Sequence, residues 1–140
     1  TGLSTFAVSK AFSRSCVEKV ARTLDGSQSV VARLFKPGQG AAGTAQFVAY
    51  VLSINGVEVN PNGCNTQCFM KQLRRTTTPK PGDVIVFPND TLGLYAADGG
   101  AFVLKTGKGD DTFNPGMYSY VLHEALPPAQ VKAFLSVTGK

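Results

Sequence analysis

The sequence predicts an α+β domain in which N-terminal helices pack on one face of a small antiparallel β-sheet. In the first part of the chain, apolar residues recur at three- and four-residue steps, which is typical of amphipathic helices. The second half instead contains short β-branched or aromatic segments separated by Gly, Pro, Asn and Asp. Helices followed by strands favour segregated layers over an alternating parallel sheet.

Length and composition predict one domain over residues 1–140. The 140 residues are 43% hydrophobic and 16% charged, which is enough apolar surface for a core and excludes wholesale disorder. No apolar run approaches the roughly 18 residues of a membrane-spanning helix, so no membrane span is expected. A net charge of +5 favours anionic partners, but the basic residues are scattered, which argues against nucleic acid.

The first two predicted elements are helices. The apolar spacing predicts helix from Ser4 to Leu24, with Ser4 as its N-cap and Asp25-Gly26 as its end. After a loop rich in Gly, a second and largely buried helix is predicted from Thr44 to Ile54. Thr44 is its expected N-cap, and Asn55-Gly56 ends it.

The rest of the chain is predicted to be a loop followed by strands. Residues 55–80 are expected to form a polar loop with one helical turn from Gln67 to Leu73. Four antiparallel strands should follow as a meander, and Pro127 to Leu135 is expected to close the domain as a helix or turn. The predicted strands lie within Asp83–Pro88, Leu92–Ala96, Ala101–Lys105 and Tyr118–Glu124.

The cysteines leave two readings open. Cys64 and Cys68 are four residues apart, which on one turn brings their Cα atoms within about 6 Å and permits a disulfide. Two ordinary thiols are the alternative. With three cysteines and one histidine in the chain, a four-ligand zinc site is not expected, and the sequence predicts no metal or cofactor.

Three segments together resemble the NlpC-type family of papain-like cell-wall peptidases. They are Phe47-Val-Ala-Tyr-Val-Leu, Lys80-Pro-Gly-Asp-Val-Ile-Val-Phe, and Leu92-Gly-Leu-Tyr followed by a Gly-rich turn and an apolar strand. In that family the helix carries a pattern like Asp-Cys-Ser-Gly-Phe-Val, and the strands read like Pro-Gly-Asp-Leu-Val-Phe-Phe and His-Val-Gly-Ile-Tyr. The resemblance covers roughly residues 40–125 and implies a papain-like NlpC-type fold.

The same resemblance places Thr44 where the family has its nucleophilic cysteine and Thr91 where it has its histidine. The third catalytic position falls at Leu104 or Lys105. Family chemistry needs a thiolate at a helix N-terminus and an imidazole base, and a threonine hydroxyl without a base is a weak nucleophile. The sequence therefore predicts the family's frame without its catalytic groups.

A rearranged catalytic site is the fallback. It would use Cys16 or Cys68 with His123, which is the only imidazole in the chain. The first predicted helix places Cys16 in its middle, on the apolar face, where a buried thiol is normally inert.

A cleft that has lost its catalytic groups is still expected to bind. The resemblance predicts a cleft between the second helix and the sheet, lined by Thr44, Gln46, Thr91, Tyr95 and Lys105. Its expected ligand is a peptidoglycan stem peptide or a segment of a partner protein. The alternative for Thr44 and Thr91 is purely structural, as a helix cap and a strand residue.

Three functions follow from these expectations. The first is a non-catalytic NlpC-like module, binding or structural, in a cell-surface, secreted or virion assembly, which implies an extracellular or envelope location. The second is a cysteine peptidase or amidase that cleaves cell-wall peptide with a rearranged site. The third is an anion-binding module that uses Arg74, Arg75 and neighbouring lysines. The start at Thr1 further suggests a processed or excised chain.

Overall fold

The computed structural model describes residues 7–8, 13–25, 31, 35, 41–59, 65–108, 117–126 and 131–137. These residues form an α+β arrangement with three helices and eight strands. The helices are α1 (Arg14–Asp25), α2 (Ala41–Ile54) and α3 (Thr66–Gln72). The strands are β1 (Ala7–Val8), β2 (Val57–Glu58), β3 (Arg74–Thr76), β4 (Val84–Val86), β5 (Leu92–Tyr95), β6 (Ala101–Lys108), β7 (Met117–Glu124) and β8 (Ala133–Ser136).

Six of the strands form one antiparallel sheet in the order β3-β8-β4-β5-β6-β7. The predicted meander is confirmed, because β4, β5, β6 and β7 are neighbours in chain order. β8 is inserted between β3 and β4, so the sheet is completed by the strand that comes last in the chain. β1 and β2 form a separate antiparallel pair.

The main core lies between the helices and one face of the sheet. α2 is apolar around most of its circumference and buries Phe47, Val48, Val51 and Leu52 completely, as expected of a helix enclosed on several sides. α1 is amphipathic and buries only one face. Its buried residues are Val17, Ala21 and Leu24.

The two faces of the sheet differ in what they pack against. Side chains alternate along each strand, so Leu92 and Leu94 of β5 join the main core while Tyr95 joins a smaller cluster on the opposite face. That second cluster is built on buried Ile85, Ala101 and Val103. Six half-buried residues pack around it: Phe87, Tyr95, Leu122, Leu126, Val131 and Phe134.

Two predicted helices differ from the structure. The first was expected from Ser4, but Ala7 and Val8 pair with Val57 and Glu58 as strands, and α1 begins at Arg14. The expected closing helix or turn over Pro127–Leu135 is also wrong at its C-terminal end, because residues 133–136 form β8. Leu135 and Val137 alternate into the main core, which is the period of a strand. Residues 127–130 lie outside the described part of the chain.

The segment predicted as a polar loop is more ordered than expected. Residues 55–80 contain β2, α3 and β3. The predicted helical turn at Gln67–Leu73 corresponds to α3, which starts one residue earlier because the side chain of Asn65 accepts the Cys68 amide at 2.9 Å as an N-cap. None of the described helices combines the length and apolar character needed to cross a membrane.

Candidate functional site

The position of Thr44 defines a junction between α2 and the start of β5. Thr44 is the fourth residue of α2, so the expected N-cap role is wrong, since the helix begins at Ala41. Its side chain is buried, and its hydroxyl oxygen accepts a hydrogen bond from the Leu92 amide at 3.0 Å. The hydroxyl therefore ties the helix to the sheet at the place where the family resemblance puts a nucleophile.

Thr91 lies directly before β5 in a tight turn that also uses its hydroxyl. The Thr91 hydroxyl donates to Asn89 Oδ1 at 2.6 Å, and the Phe87 amide donates to the Thr91 carbonyl oxygen at 2.9 Å. Asp90 has a φ of 66° within this turn, and its carbonyl oxygen accepts from the Thr66 hydroxyl at the start of α3. Both threonines are thus engaged in hydrogen bonds that hold the backbone.

The third implied position supplies no polar group to this junction. Leu104 is buried in the main core and pairs in register with Val121. The adjacent alternative, Lys105, is exposed and forms an ion pair with Glu124, with Nζ 3.8 Å from Oε1. The positions implied by the resemblance therefore carry two bonded hydroxyls and either an aliphatic side chain or an ion-paired lysine.

The predicted binding cleft is not assembled. Thr44 is buried, and Gln46 is half-buried on α2, whereas Tyr95 belongs to the cluster on the opposite face of the sheet, where its ring meets Phe134 edge-on at 5.8 Å. Lys105 shares that opposite face, because it is two residues from Val103 on the same strand. The period of two along β5 and β6 separates these residues from Thr44.

The fallback thiols are not placed for catalysis. Cys16 was expected in mid-helix on an apolar face, but it is the third residue of α1 and its free thiol is exposed. Cys16 is two residues from both Arg14 and Glu18, so its side chain lies on a different face of α1 from theirs. Cys68 is disulfide-bonded, so it offers no thiolate. Cys64, the other half of the predicted pair, lies outside the described residues.

His123 belongs to a polar cluster at the β5–β6 hairpin. Its Nε2 lies 3.1 Å from Asp98 Oδ2, and its ring stacks on Phe102 with 4.7 Å between ring centroids. The guanidinium of Arg22 lies over the other ring of this stack, 5.4 Å from the Phe102 centroid. Arg22 is in turn paired with Glu18, whose second carboxylate oxygen accepts the Ala97 amide at 3.2 Å.

The carboxylate of Asp98 is stabilised in its ionised form by this hairpin. The Gly100 amide donates to Asp98 Oδ1 at 2.9 Å, and this bond, followed by the one from His123, holds the pKa of Asp98 below its ordinary value of 3.8. A Cβ at Gly100 would lie 2.8 Å from the Glu124 carbonyl oxygen and 3.0 Å from His123 Nε2. Glycine is therefore required for the close approach of hairpin and β7.

The His123 cluster and the α2–β5 junction are separate. Leu94 of β5 pairs with Phe102 of β6, which pairs with His123 of β7, so His123 is level with Leu94 and two strands away. Leu92 lies two residues back along β5. With about 3.3 Å per residue and about 4.8 Å per strand, the backbone of His123 is about 12 Å from that of Leu92. The histidine pairs with a carboxylate rather than with Thr44.

Asp83 carries the most extensively bonded carboxylate among the described residues, and the sequence patterns did not reveal its role. Its side chain is 2% exposed, and Oδ1 accepts from Arg14 at 2.6 Å and from the Val137 amide at 3.1 Å. Oδ2 accepts the Lys80 amide at 2.9 Å. The Pro81-Gly82-Asp83 motif was the available signal, because a buried acid after a turn needs donors.

The chemistry open to these sites is limited. In the described part of the chain, no three His, Cys, Asp or Glu side chains are placed to hold a metal ion. A nucleophile, a base and an orienting group do not converge at either location described above. The α2–β5 junction and the Asp83 network join elements of the fold, and the His123 cluster presents an exposed polar surface.

Comparison with known proteins identifies no relative of this chain. No family model, no curated protein and no solved structure matches it.

Proposed function

We propose that this chain is a non-catalytic module with an NlpC-type, papain-like fold, which binds peptidoglycan stem peptide as part of a cell-surface, secreted or virion assembly. The observation that carries the proposal is the buried hydrogen bond from the Leu92 amide to the Thr44 hydroxyl. Thr44, at the position where the resemblance puts the family nucleophile, here joins α2 to β5.

The order of elements supports the family part of the proposal. The helix with the Phe47-Val motif is followed by the Pro-Gly-Asp turn into β4, then by β5 with its Leu-Gly-Leu-Tyr sequence, and then by β6. Strands β4, β5 and β6 are adjacent and antiparallel, and Thr44 of α2 contacts the start of β5. This is the juxtaposition that the family needs between its helix and its histidine strand.

The contacts of the described side chains support the non-catalytic part of the proposal. An alcohol nucleophile needs an adjacent base to remove its proton. The Thr44 hydroxyl accepts the Leu92 amide proton, and the Thr91 hydroxyl donates to Asn89. His123 is paired with Asp98, and its backbone is about 12 Å from that of Leu92. Cys68 is held in a disulfide and Cys16 faces solvent on α1.

Net charge and the disulfide support the proposed ligand and location. The net charge of +5 favours anionic polymers such as cell wall. A disulfide at Cys68 is consistent with an oxidising compartment, where structural disulfides persist. Because Thr44 and Tyr95 lie on opposite sides of the sheet, a stem peptide would have to bind at a surface other than the predicted cleft.

The test is a co-sedimentation assay with purified, insoluble peptidoglycan, combined with chromatography of any soluble fragments. We expect the protein to pellet with peptidoglycan and to release no fragments. Glycan strands from which an amidase has removed the stem peptides are the matched control, and they should not retain the protein. Failure to pellet would contradict the ligand, and fragments that disappear in a His123→Ala variant would contradict the non-catalytic assignment.

A further inference from the structure

One edge of the six-stranded sheet is strongly basic. Between residues 65 and 82 the chain has no Asp or Glu and has four basic residues, all of them exposed. We call this surface the basic edge, and it consists of Lys71 at the end of α3, Arg74 and Arg75 in β3, and Lys80 after β3. The nearest following acid, Asp83, is buried and bonded to Arg14. Residues 65–82 therefore contribute four positive charges and no negative charge.

β3 is also an edge strand. It pairs with β8 on one side, and no described strand pairs with it on the other. A strand in this position offers backbone N–H and C=O groups to a further strand. The strand has no apolar residue of its own, and its burial pattern is exposed, exposed and half-buried, so an added strand would not extend the core.

The two arginines of β3 lie on opposite faces of the sheet. Arg75 pairs in register with Leu135, which belongs to the helix-side core, and Arg74 pairs with Ser136, the next position. Successive residues of a strand point to opposite faces, so positive charge is present on both sides of the β3 backbone. A strand added at this edge would likewise place its own successive side chains on both faces.

We propose that the basic edge is a docking site for an acidic, extended segment of a partner protein, which pairs with β3 as an added strand. An acidic residue in that segment would meet the charge of Arg75, which is exposed on β3. Strand addition supplies backbone hydrogen bonds, and the charges supply selectivity and a fast encounter. The basic edge shares no residue with the α2–β5 junction, so its role does not depend on the proposed function.

Side-chain chemistry also favours an acidic strand over two other partners, a second copy of β3 and single-stranded nucleic acid. Basic residues protect sheet edges against self-association, because two copies of β3 would bring like charges together, and the same residues attract an acidic strand. Single-stranded nucleic acid is usually held by exposed aromatic rings as well as cations. Among the described residues the large exposed hydrophobic side chain is Ile54, which is aliphatic.

The test measures fluorescence anisotropy of a labelled peptide, Val-Thr-Glu-Glu-Val-Thr, titrated with the folded protein. The matched control peptide replaces both glutamates with glutamines. We expect Arg75→Glu to weaken binding at least about tenfold, whereas Lys19→Glu, an equal charge change at an exposed position of α1, should leave affinity nearly unchanged. An equal loss in both variants, or no difference between the peptides, would overturn the proposal. Circular dichroism checks folding, and Arg75→Gln replaces Arg75→Glu if the latter unfolds.

A second pair of peptides distinguishes strand pairing from simple charge attraction. Each is N-methylated at alternate residues, one at the odd and one at the even positions, which removes backbone donors from one side of the extended peptide only. We expect one of the two to lose binding and the other to retain it. Equal behaviour of both peptides would overturn the proposal, as would displacement by polyuridylate at the same concentration of negative charge.

Discussion

Replacement of Asp83 should be the most destabilising loss of a polar side chain among the described residues. The Asp83 carboxylate joins three separate parts of the chain: Arg14 at the start of α1, the Lys80 amide before β4, and the Val137 amide after β8. Its own backbone carbonyl accepts the Tyr95 amide at 2.8 Å. Asp83→Ala would remove the acceptor for all three side-chain bonds and leave the backbone bond in place.

The expected cost follows from burial. An unsatisfied buried donor costs about 1–3 kcal/mol, and removal of one partner from a buried ion pair costs about 3–5 kcal/mol. The side chain of Arg14 is 22% exposed, so hydration recovers part of that cost. We expect Asp83→Ala to lower the free energy of unfolding by about 3–5 kcal/mol, and Tm by about 10–17 °C for a chain of this size.

Urea unfolding followed by circular dichroism measures this change. Asp83→Asn preserves the shape and one acceptor oxygen, so its loss should be smaller than that of Asp83→Ala. Asp25→Ala, which removes an exposed carboxylate at the end of α1, is the control and should have little effect. A double-mutant cycle with Arg14→Met isolates the ion pair. Loss below about 1 kcal/mol for Asp83→Ala would refute the reasoning, because removal of a buried carboxylate that accepts three hydrogen bonds should cost more than that.

Two further outcomes follow from the other polar contacts. Thr44→Val keeps the shape of the side chain but leaves the buried Leu92 amide without its acceptor, so it should lower the free energy of unfolding in urea by about 1–3 kcal/mol. Thr44→Ser, which keeps the hydroxyl, should lower it clearly less. Equal losses in the two variants would mean that packing, not the hydroxyl, matters. Ionised Asp98 has a folded-state pKa below 3.8, so its stabilising contribution is present above about pH 4 and is lost as pH falls through the lowered pKa. In His123→Gln, carboxyl NMR titration should show that the pKa of Asp98 rises only part of the way to 3.8, because the Gly100 amide still donates to Asp98. An unchanged pKa of Asp98 would contradict its contact with His123.

The sequence predicted those elements whose pattern was long or repeated. α2 is a long apolar segment with helical spacing, and β4 to β7 are β-branched or aromatic segments separated by strong turn residues, so both were expected near their observed positions. β8 was missed because it is a short apolar run that follows two prolines, and such a run fits a helix or a strand equally well. Only its pairing with β3 and β4 decides between them.

The sequence predicted only part of the candidate site. Thr44 and the start of β5 were expected to be close, and the structure brings Thr44 to Leu92. Tyr95 and Lys105 were assigned to the same cleft, but strand alternation places both on the far face, which the period of two already implied. The contact of His123 with Asp98 depends on the register of β6 with β7, which local sequence does not encode.

The position of β8 between β3 and β4 has a consequence for how the chain reaches its native state. β4 is synthesised before β5, β6 and β7, yet its second neighbour in the sheet emerges only after all of them. Until then β4 exposes one side of its backbone, and β3 has no place in the sheet. Completion of the sheet therefore waits for a contact between distant parts of the chain, which is the kind of step that slows folding. A deletion of residues 133–137 would detach β3, together with the basic edge, from the rest of the sheet.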